Sequence, residues 1–459
     1  LNNIPAHIFR SYDIRGLAAT ELTADTVYRI AMAFAAMMHA CGEFCVVTAC
    51  DARLSADSLY GALKRGLLAS GIDVIDMGQV PTPVLYFATA TSDCHNGIML
   101  TASHNPKEYN GLKILLQGKN LTSEQIQDLY KATCETYTDA DTRGHLTQKN
   151  FLPTYIDTIV NQLTLGKRLK IVIDCANAIP AVVAPTLFKR LGCEVIELHT
   201  ELDGSFPNHE PDPTQPRNLV DLITTVKQHK ADIGLGFDGD GDRLGVVTNQ
   251  GEIIYADRIL MLLAQDVLSR HPGTTIVYDI KCSHLLKEVI LAAGGKPLMG
   301  KTGHSLIKAL MHAENALLAG EMSGHIFFKE DWYGFDDGLY TAARLLNLLS
   351  HAPDINTVFA ALPRCYSTPE LAVAMVEEKK ASFMQALIVR LKDDSKGEIS
   401  LLDGIRIDFD DAWGLVRPSN TTSNLVLRFE GVSEESLVRI QSLFKVQMLA
   451  IMPGMELPF

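Results

Sequence analysis

The sequence predicts an α/β protein of three related mixed α/β domains followed by a smaller C-terminal α+β domain. Short apolar runs recur, each ending in a polar or glycine-containing turn and followed by a segment of helical periodicity. This grammar restarts near residues 1, 151 and 255, and after Pro363 it gives way to alternation with period two. The expected domains are therefore 1–150, 151–254, 255–363 and 364–459, in keeping with ~100–200 residues per domain.

Residues 8–16 form an extended, charged opening in which Tyr12 and Arg15 can reach a phosphate or a sugar; a solvated surface strand is the alternative. A helix is expected over 24–38 and a strand over 45–48. Ser55 is placed to cap a helix carrying Leu59, Leu63 and Leu67 on one face, with Gly71 closing it. Strand 73–76 leads to Gly78 and a turn at Pro81-Thr82-Pro83. After another helix, the apolar run Gly97-Ile98-Met99-Leu100 enters Thr101-Ala102-Ser103-His104-Asn105-Pro106. Pro106 disfavours helical backbone at Asn105, so the strand should end in a tight, exposed turn. The βαβα order implies a parallel sheet, and Ser103 then stands at the carboxyl end of a strand, where open α/β sheets place ligands. A serine there can carry a phosphate, with His104 and Lys113 supplying protons and positive charge; a plain polar turn is the alternative.

The second block reads as strand 169–174, helix 181–192, strand 193–196 and a long polar segment, 203–217. Its strand 232–237 runs into Asp238-Gly239-Asp240-Gly241-Asp242-Arg243. Carboxylates at alternate positions, with glycine between them, can turn inward together, and their repulsion calls for a divalent cation; a solvated acidic turn is the alternative. Oxygen-only ligands suit Mg²⁺. A calcium EF-hand loop is excluded, because its sixth position is Arg243 and its twelfth is Asn249. The third block opens on strand 275–279. Its strand 316–319 precedes Gly320-Glu321-Met322-Ser323-Gly324-His325, donors and acceptors suited to sugar hydroxyls, or else a structural turn. In the last domain, 405–409 and 425–429 read as half-exposed antiparallel strands packed on a helix over 433–449. Between them lies Arg417-Pro418-Ser419-Asn420-Thr421-Thr422, a phosphate cradle or an ordinary hairpin loop.

A net charge of −13 argues against nucleic acid. No apolar run approaches the ~20 residues of a membrane helix, and residues 1–5 lack the pattern of a signal peptide. The nine cysteines are scattered, most of them read as lying inside apolar strands, as Cys45 and Cys175 do, which fits a reduced, cytoplasmic chain. Cys41 and Cys45 have no second pair at zinc-finger spacing.

Taken in this order, residues 12–16, 101–106, 238–243, 320–325 and 417–422 make the chain resemble the α-D-phosphohexomutase family, in particular its bacterial phosphomannomutase/phosphoglucomutase members. The resemblance covers essentially the whole length. It implies a four-domain molecule around a central cleft, acting on phosphorylated hexoses as a monomer, with Mg²⁺ and glucose 1,6-bisphosphate as cofactors. Ser103 would carry the transferable phosphoryl group and bind the metal together with Asp238, Asp240 and Asp242. His104, Lys113 and Arg15 would manage protons and phosphoryl oxygens, with the general base among them left open. Glu321, Ser323 and His325 would hold sugar hydroxyls, and Arg417, Ser419, Asn420 and Thr421 the substrate's own phosphate. Tyr12, Arg243, Lys281 and His304 would add substrate contacts. The family's usual Gly-Arg-Asp before the arginine matching Arg53 is Ala49-Cys50-Asp51 here, its Asp-Cys-Gly-Asn-Gly is Asp174-Cys175-Ala176-Asn177-Ala178, and the glycine before the serine is Ala102. The nearest rival is a phosphoglucosamine mutase, whose sugar loop carries Gln where this chain has Met322. A hinge is expected near residues 363–367.

Overall fold

The computed structural model describes residues 4–394, 396–419 and 423–459. The chain folds as two compact units, Leu1–Ile259 with Ser323–Val358, and Leu260–Met322 with Phe359–Phe459.

In the first unit one sheet runs in the order Ile14–Leu17, Tyr109–Leu116, Gly97–Leu100, Cys45–Cys50, Asp73–Gln79, Leu146–Gln148. The strands from Gly97–Leu100 to Leu146–Gln148 pair in parallel, while Tyr109–Leu116 is antiparallel to both its neighbours. The sheet is thus mixed, not purely parallel. Tyr109–Leu116 directly follows the Ser103 turn and returns beside the strand it left, which a sequence grammar of crossovers does not reveal. Val27, Ile30 and Phe34 of helix Ala24–Ala40 and Leu59, Leu63 and Leu67 of helix Ala56–Ala69 share one core with Val46, Ile98 and Leu112. Ser55 does not cap the second of these helices. Its own backbone is already helical (φ −80°, ψ −10°), so its Oγ accepts from Asn110 Nδ2 at 2.9 Å instead. Pro81-Thr82-Pro83 is not a free turn either. Pro81 is the N-cap of helix Thr82–Thr91 and Pro83 lies in its first turn, where a missing N–H costs nothing.

The second sheet has the order Ile253–Ile254, Leu244–Thr248, Ile233–Phe237, Lys170–Asp174, Glu194–Leu198. Ile233–Phe237 is parallel to Lys170–Asp174 and antiparallel to Leu244–Thr248, so the aspartates at 238–242 occupy the tight connection between adjacent antiparallel strands. The expected helix 181–192 is a 3₁₀ turn, Ile179–Val182, followed by Ala184–Arg190.

Helix Gly338–Ser350 is capped by Asp337, which accepts from Tyr340 N at 2.8 Å and from Tyr155 Oη at 2.9 Å on both carboxylate oxygens. Burial pushes the Asp337 carboxyl up to about 7. The folded state therefore holds a proton that the unfolded chain has released once pH exceeds the ordinary carboxylate range, and stability falls as pH rises from about 4 towards 7. Asp337→Asn keeps the cap, and is expected to flatten this slope and melt above wild type at pH 8. Equal pH dependence of thermal melting in both proteins would contradict this.

In the second unit, the parallel strands Lys296–Gly300, Thr275–Asp279 and Leu318–Gly320 lie side by side. The last sheet is antiparallel and is built on Ile405–Asp408, Ala412–Pro418 and Asn424–Gly431, with helix Glu434–Ile451 against it, capped reciprocally by Ser433 and Ser436. Its strands are not half-exposed. Arg406 donates to the carbonyls of Ile280 and Cys282 at 2.6 and 2.9 Å and stacks over Trp413, while Arg428 donates to the Lys281 carbonyl, so the polar face is buried too. These bonds tie residues 280–282 to the last sheet, and the hinge expected near 363–367 falls inside this unit. Among the described residues no helix is long and apolar enough to cross a membrane.

Candidate active site

The Ser103 turn is buried, not exposed as expected, and its backbone is unusual. Ser103 has φ +50°, a left-handed conformation uncommon outside glycine, and is 1% exposed. Two arginines hold it there. Arg53 donates to the carbonyls of Ser103 (2.6 Å), Asn105 (2.6 Å), Pro106 (2.7 Å) and Tyr109 (3.1 Å), with its Nε on Asp51. Arg15 donates to Asn105 Oδ1 (2.5 Å) and the Ala102 carbonyl (3.3 Å), with its Nε on Asp13 (2.7 Å). The guanidinium fork suits this clamping of several acceptors at once. Arg53 matches a family arginine in sequence, which by itself assigns it no role; its clamping of the turn shows only once the fold curls the turn around it.

The turn aims Ser103 Oγ at Asp238, donating to Oδ2 at 2.7 Å, and His104 Nδ1 lies 3.2 Å from Ser103 Oγ. Asp238 Oδ1 accepts from the amides of Gly241 and Arg243, both at 3.1 Å. Asp240 Oδ2 accepts from Thr82 Oγ1 at 2.5 Å and from Lys113 Nζ at 2.7 Å, and Lys113 also donates to Asp242. All three aspartates are fully buried, and their oxygens lie within 4.8 Å of one another. Oδ1 of Asp240 and of Asp242 has no hydrogen-bond partner among the described residues. Buried carboxylate oxygens left over in this way fit a metal ion with oxygen ligands.

Electrostatics follow from this packing. Burial, then the charges of Asp242 and Asp240, push the Asp238 carboxyl well up. Burial opposes the Lys113 ammonium, yet Asp240 and Asp242 outweigh it and hold its pKa well above the ordinary lysine value. Burial works against Arg15 as well, but Asp13 and then Tyr12 more than offset it. His104 is pushed well down by burial and by the positive charges of Arg243 and Arg15. At neutral pH, Lys113 and Arg15 are cations and His104 is a neutral imidazole.

Gly239 explains its own place in the loop. A Cβ there would stand 2.2 Å from the Ser103 carbonyl oxygen, so the aspartate loop approaches the serine turn only because residue 239 lacks a side chain. Gly239→Ala is expected to leave the fold intact and lower turnover roughly 10²-fold, the effect of displacing reacting groups by about 1 Å. Wild-type kcat in a folded Gly239→Ala protein would contradict that reading.

His325 and Ser323 belong to this same unit. His325 Nε2 accepts from Arg243 Nε at 3.0 Å, and its Nδ1 lies 3.0 Å from Asp336 and 3.4 Å from Asp242. Tyr12 is half-buried near Arg15. A second group of candidate residues sits in the second unit. Glu321 accepts from Gly303 N at 2.6 Å, beside His304 at the start of helix His304–Ala313. Lys281 Nζ donates to Glu370 at 2.7 Å, and Arg417 Nε to Asp403 at 2.8 Å. Lys281 and Arg417 are both buried; burial works against the Lys281 ammonium, yet Glu370 and then Asp279 more than offset it and hold its pKa above the ordinary lysine value. Ser419 is half-buried at the end of strand Ala412–Pro418; Asn420, Thr421 and Thr422 lie outside the described residues.

The chain matches the phosphoglucomutase/phosphomannomutase alpha/beta/alpha domains I, II and III over residues 6–139, 153–251 and 255–366, and the C-terminal domain over 370–445. The chain belongs to the phosphoglucomutase/phosphomannomutase family. It is 50% identical over 457 residues to a phosphomannomutase/phosphoglucomutase of Pseudomonas aeruginosa, covering 99% of this chain and 98% of that one. It is 46% identical over 445 residues to a phosphoglucomutase of Neisseria meningitidis, covering 96% and 97%. The crystal structure of a phosphoglucomutase/phosphomannomutase family protein from Burkholderia thailandensis superposes with a TM-score of 0.95 at 46% identity, covering 99% of this chain and all of that one. Within this family, the serine turn, the aspartate loop, Lys113 and Arg15 of the first unit form the candidate active site.

Proposed function

We propose that the protein reversibly converts the 1-phosphates and 6-phosphates of glucose and mannose into one another through a phosphoserine and a 1,6-bisphosphosugar. The observation that carries this is Ser103 Oγ donating to Asp238 at 2.7 Å, inside a buried trio of carboxylates that also engages Lys113. The proposed division of labour gives the serine to residues 1–150, the metal to 151–254, sugar recognition to 255–363 and the substrate phosphate to 364–459.

Phospho-Ser103 donates to the free sugar hydroxyl: the hydroxyl oxygen forms a bond to phosphorus as the bond to Ser103 Oγ breaks. The hydroxyl proton must reach Ser103 Oγ. His104 is the group for this, since it is neutral and faces that oxygen, whereas Lys113 and Arg15 hold their protons. Lys113 and Arg15 instead supply positive charge, and Arg15 with Arg53 fixes the turn. Asp238, Asp240 and Asp242 with Ser103 are the residues that would hold Mg²⁺, which supplies Lewis-acid stabilisation of charge on the transferring group. The bisphosphate then turns over and returns its other phosphate to Ser103. By the family resemblance, Lys281 and Arg417, with Ser419, Asn420 and Thr421, would grip the phosphate that does not react, Glu321, Ser323 and His325 would bind sugar hydroxyls, and Tyr12, Arg243 and His304 would add substrate contacts. Glucose 1,6-bisphosphate would act as activator by phosphorylating Ser103. All nine cysteines are free thiols, which supports a reducing, cytoplasmic setting.

A coupled assay with glucose 1-phosphate and mannose 1-phosphate, primed with glucose 1,6-bisphosphate, tests the reading. Both sugars are expected to turn over. Glucose and mannose differ only at C2, so Glu321→Ala should lower kcat/KM for both by a similar factor, roughly 10- to 100-fold. A loss confined to one sugar would mean that Glu321 reads C2, and dual specificity would have to be abandoned.

A further inference from the structure

A second group of ligating side chains stands apart from the aspartate loop. Asp174, His199 and His209 each offer one donor atom, and these atoms lie within 4.8 Å of one another. Asp174 ends strand Lys170–Asp174, His199 directly follows strand Glu194–Leu198, and His209 lies in the polar segment after it. Two adjacent strand ends and a loop thus converge on one point.

The hydrogen bonding of His209 carries the argument. Its Nδ1 lies 2.8 Å from the Glu210 carbonyl oxygen, which can only accept, so Nδ1 bears the proton. In the neutral ring Nε2 is then a lone pair, yet it points at Asp174 Oδ2, 3.0 Å away, another acceptor. Two lone pairs facing each other require a cation between them or a second proton on the ring. A ring whose other nitrogen donates to a backbone carbonyl is the arrangement of a metal-ligating histidine. His199 adds a second imidazole. Its Nε2 lies 3.1 Å from Asp221 Oδ2, and its ring stands edge-on to His209 with centroids 5.4 Å apart. The other Asp174 oxygen is already committed to Ala176 N at 2.9 Å, leaving Oδ2 for the shared point. His199 is held in a left-handed backbone conformation (φ +49°), with its carbonyl accepting from Asn177 N at 2.8 Å.

We infer that His199, His209 and Asp174 form a second metal site, selective for a zinc-class divalent cation. Two imidazoles and one carboxylate suit Zn²⁺, Co²⁺ or Ni²⁺ over Mg²⁺, so the site is chemically distinct from the oxygen-only aspartates. Asp221 stands next to it as a further carboxylate. The ion would brace the polar segment against the catalytic loop, because Pro211, two residues after His209, accepts from Gly239 N at 3.1 Å.

The test is a Co²⁺ titration of the full chain, stripped of metal and followed by visible absorption. One intense band set from a histidine-ligated ion is expected, displaced by Zn²⁺. His199→Ala should weaken Zn²⁺ binding at this site on the order of 10²-fold and remove those bands. The same variant should keep its Mg²⁺-dependent mutase activity, which confirms its fold and separates this inference from the proposed function. Zinc-edge anomalous diffraction on the wild type reads the site without any variant, with a peak expected between His199, His209 and Asp174. No peak there, or Co²⁺ bands unchanged in His199→Ala, would overturn the inference and leave His209 as a protonated partner of Asp174.

Discussion

Ser103→Ala is expected to lose hexose-phosphate interconversion by on the order of 10⁴-fold or more while remaining folded. The side chain is small and buried, so its loss removes a hydroxyl and little packing. No neighbour can take its place. Thr101 Oγ1 donates to Asp51 at 2.7 Å and accepts from Ser103 N at 2.9 Å, and Thr82 Oγ1 donates to Asp240 at 2.5 Å. A coupled assay beside a thermal melt separates lost chemistry from lost structure. Substantial turnover in a Ser103→Ala protein would mean that the phosphoryl group travels by another route.

Stripping divalent cations is expected to abolish turnover, with Mg²⁺ restoring it, and Asp240→Asn should lower kcat by on the order of 10²–10³-fold at saturating Mg²⁺. The three buried carboxylates share the Lys113 ammonium, the Ser103 hydroxyl and the Arg243 guanidinium 3.8 Å from Asp238, and Oδ1 of Asp240 and of Asp242 is left over for a cation. Asp240→Asn removes one of these charges and should also raise the Mg²⁺ concentration needed for half-maximal activity. That second shift distinguishes a metal ligand from a residue that merely anchors Lys113. Activity that survives thorough chelation would remove the metal from the account.

Much of this was legible in the sequence because burial leaves a strong mark on strands. The apolar runs at Gly97–Leu100 and Thr275–Asp279 fall where expected, each followed by its polar turn. The aspartate loop was legible because glycine spacing and three acids leave few other uses. Strand Tyr109–Leu116 was hidden because it carries Asn110 and Lys113 in buried positions, so it lacks the apolar signature of an inner strand. The last sheet's polar face misled in the same way: Arg406 and Arg428 look solvated in sequence, yet they stack over Trp413 and bond to backbone carbonyls. The role of Arg53 could not be read from sequence because it bonds four carbonyls of one turn, and carbonyls carry no sequence identity. Long-range polar contacts of this kind depend on where the fold brings the backbone, which local pattern does not encode.

The central claim is that Ser103 passes its phosphoryl group to the sugar and takes one back. The direct measurement is single-turnover label transfer. Enzyme phosphorylated with labelled phosphate, and shown by peptide mass analysis to carry it on Ser103, is mixed with unlabelled hexose 1-phosphate. The label should leave the protein and appear in hexose bisphosphate and hexose 6-phosphate, while the protein remains phosphorylated with unlabelled phosphate. Label that stays on the protein through complete conversion of substrate, or that emerges only as inorganic phosphate, would contradict the mechanism.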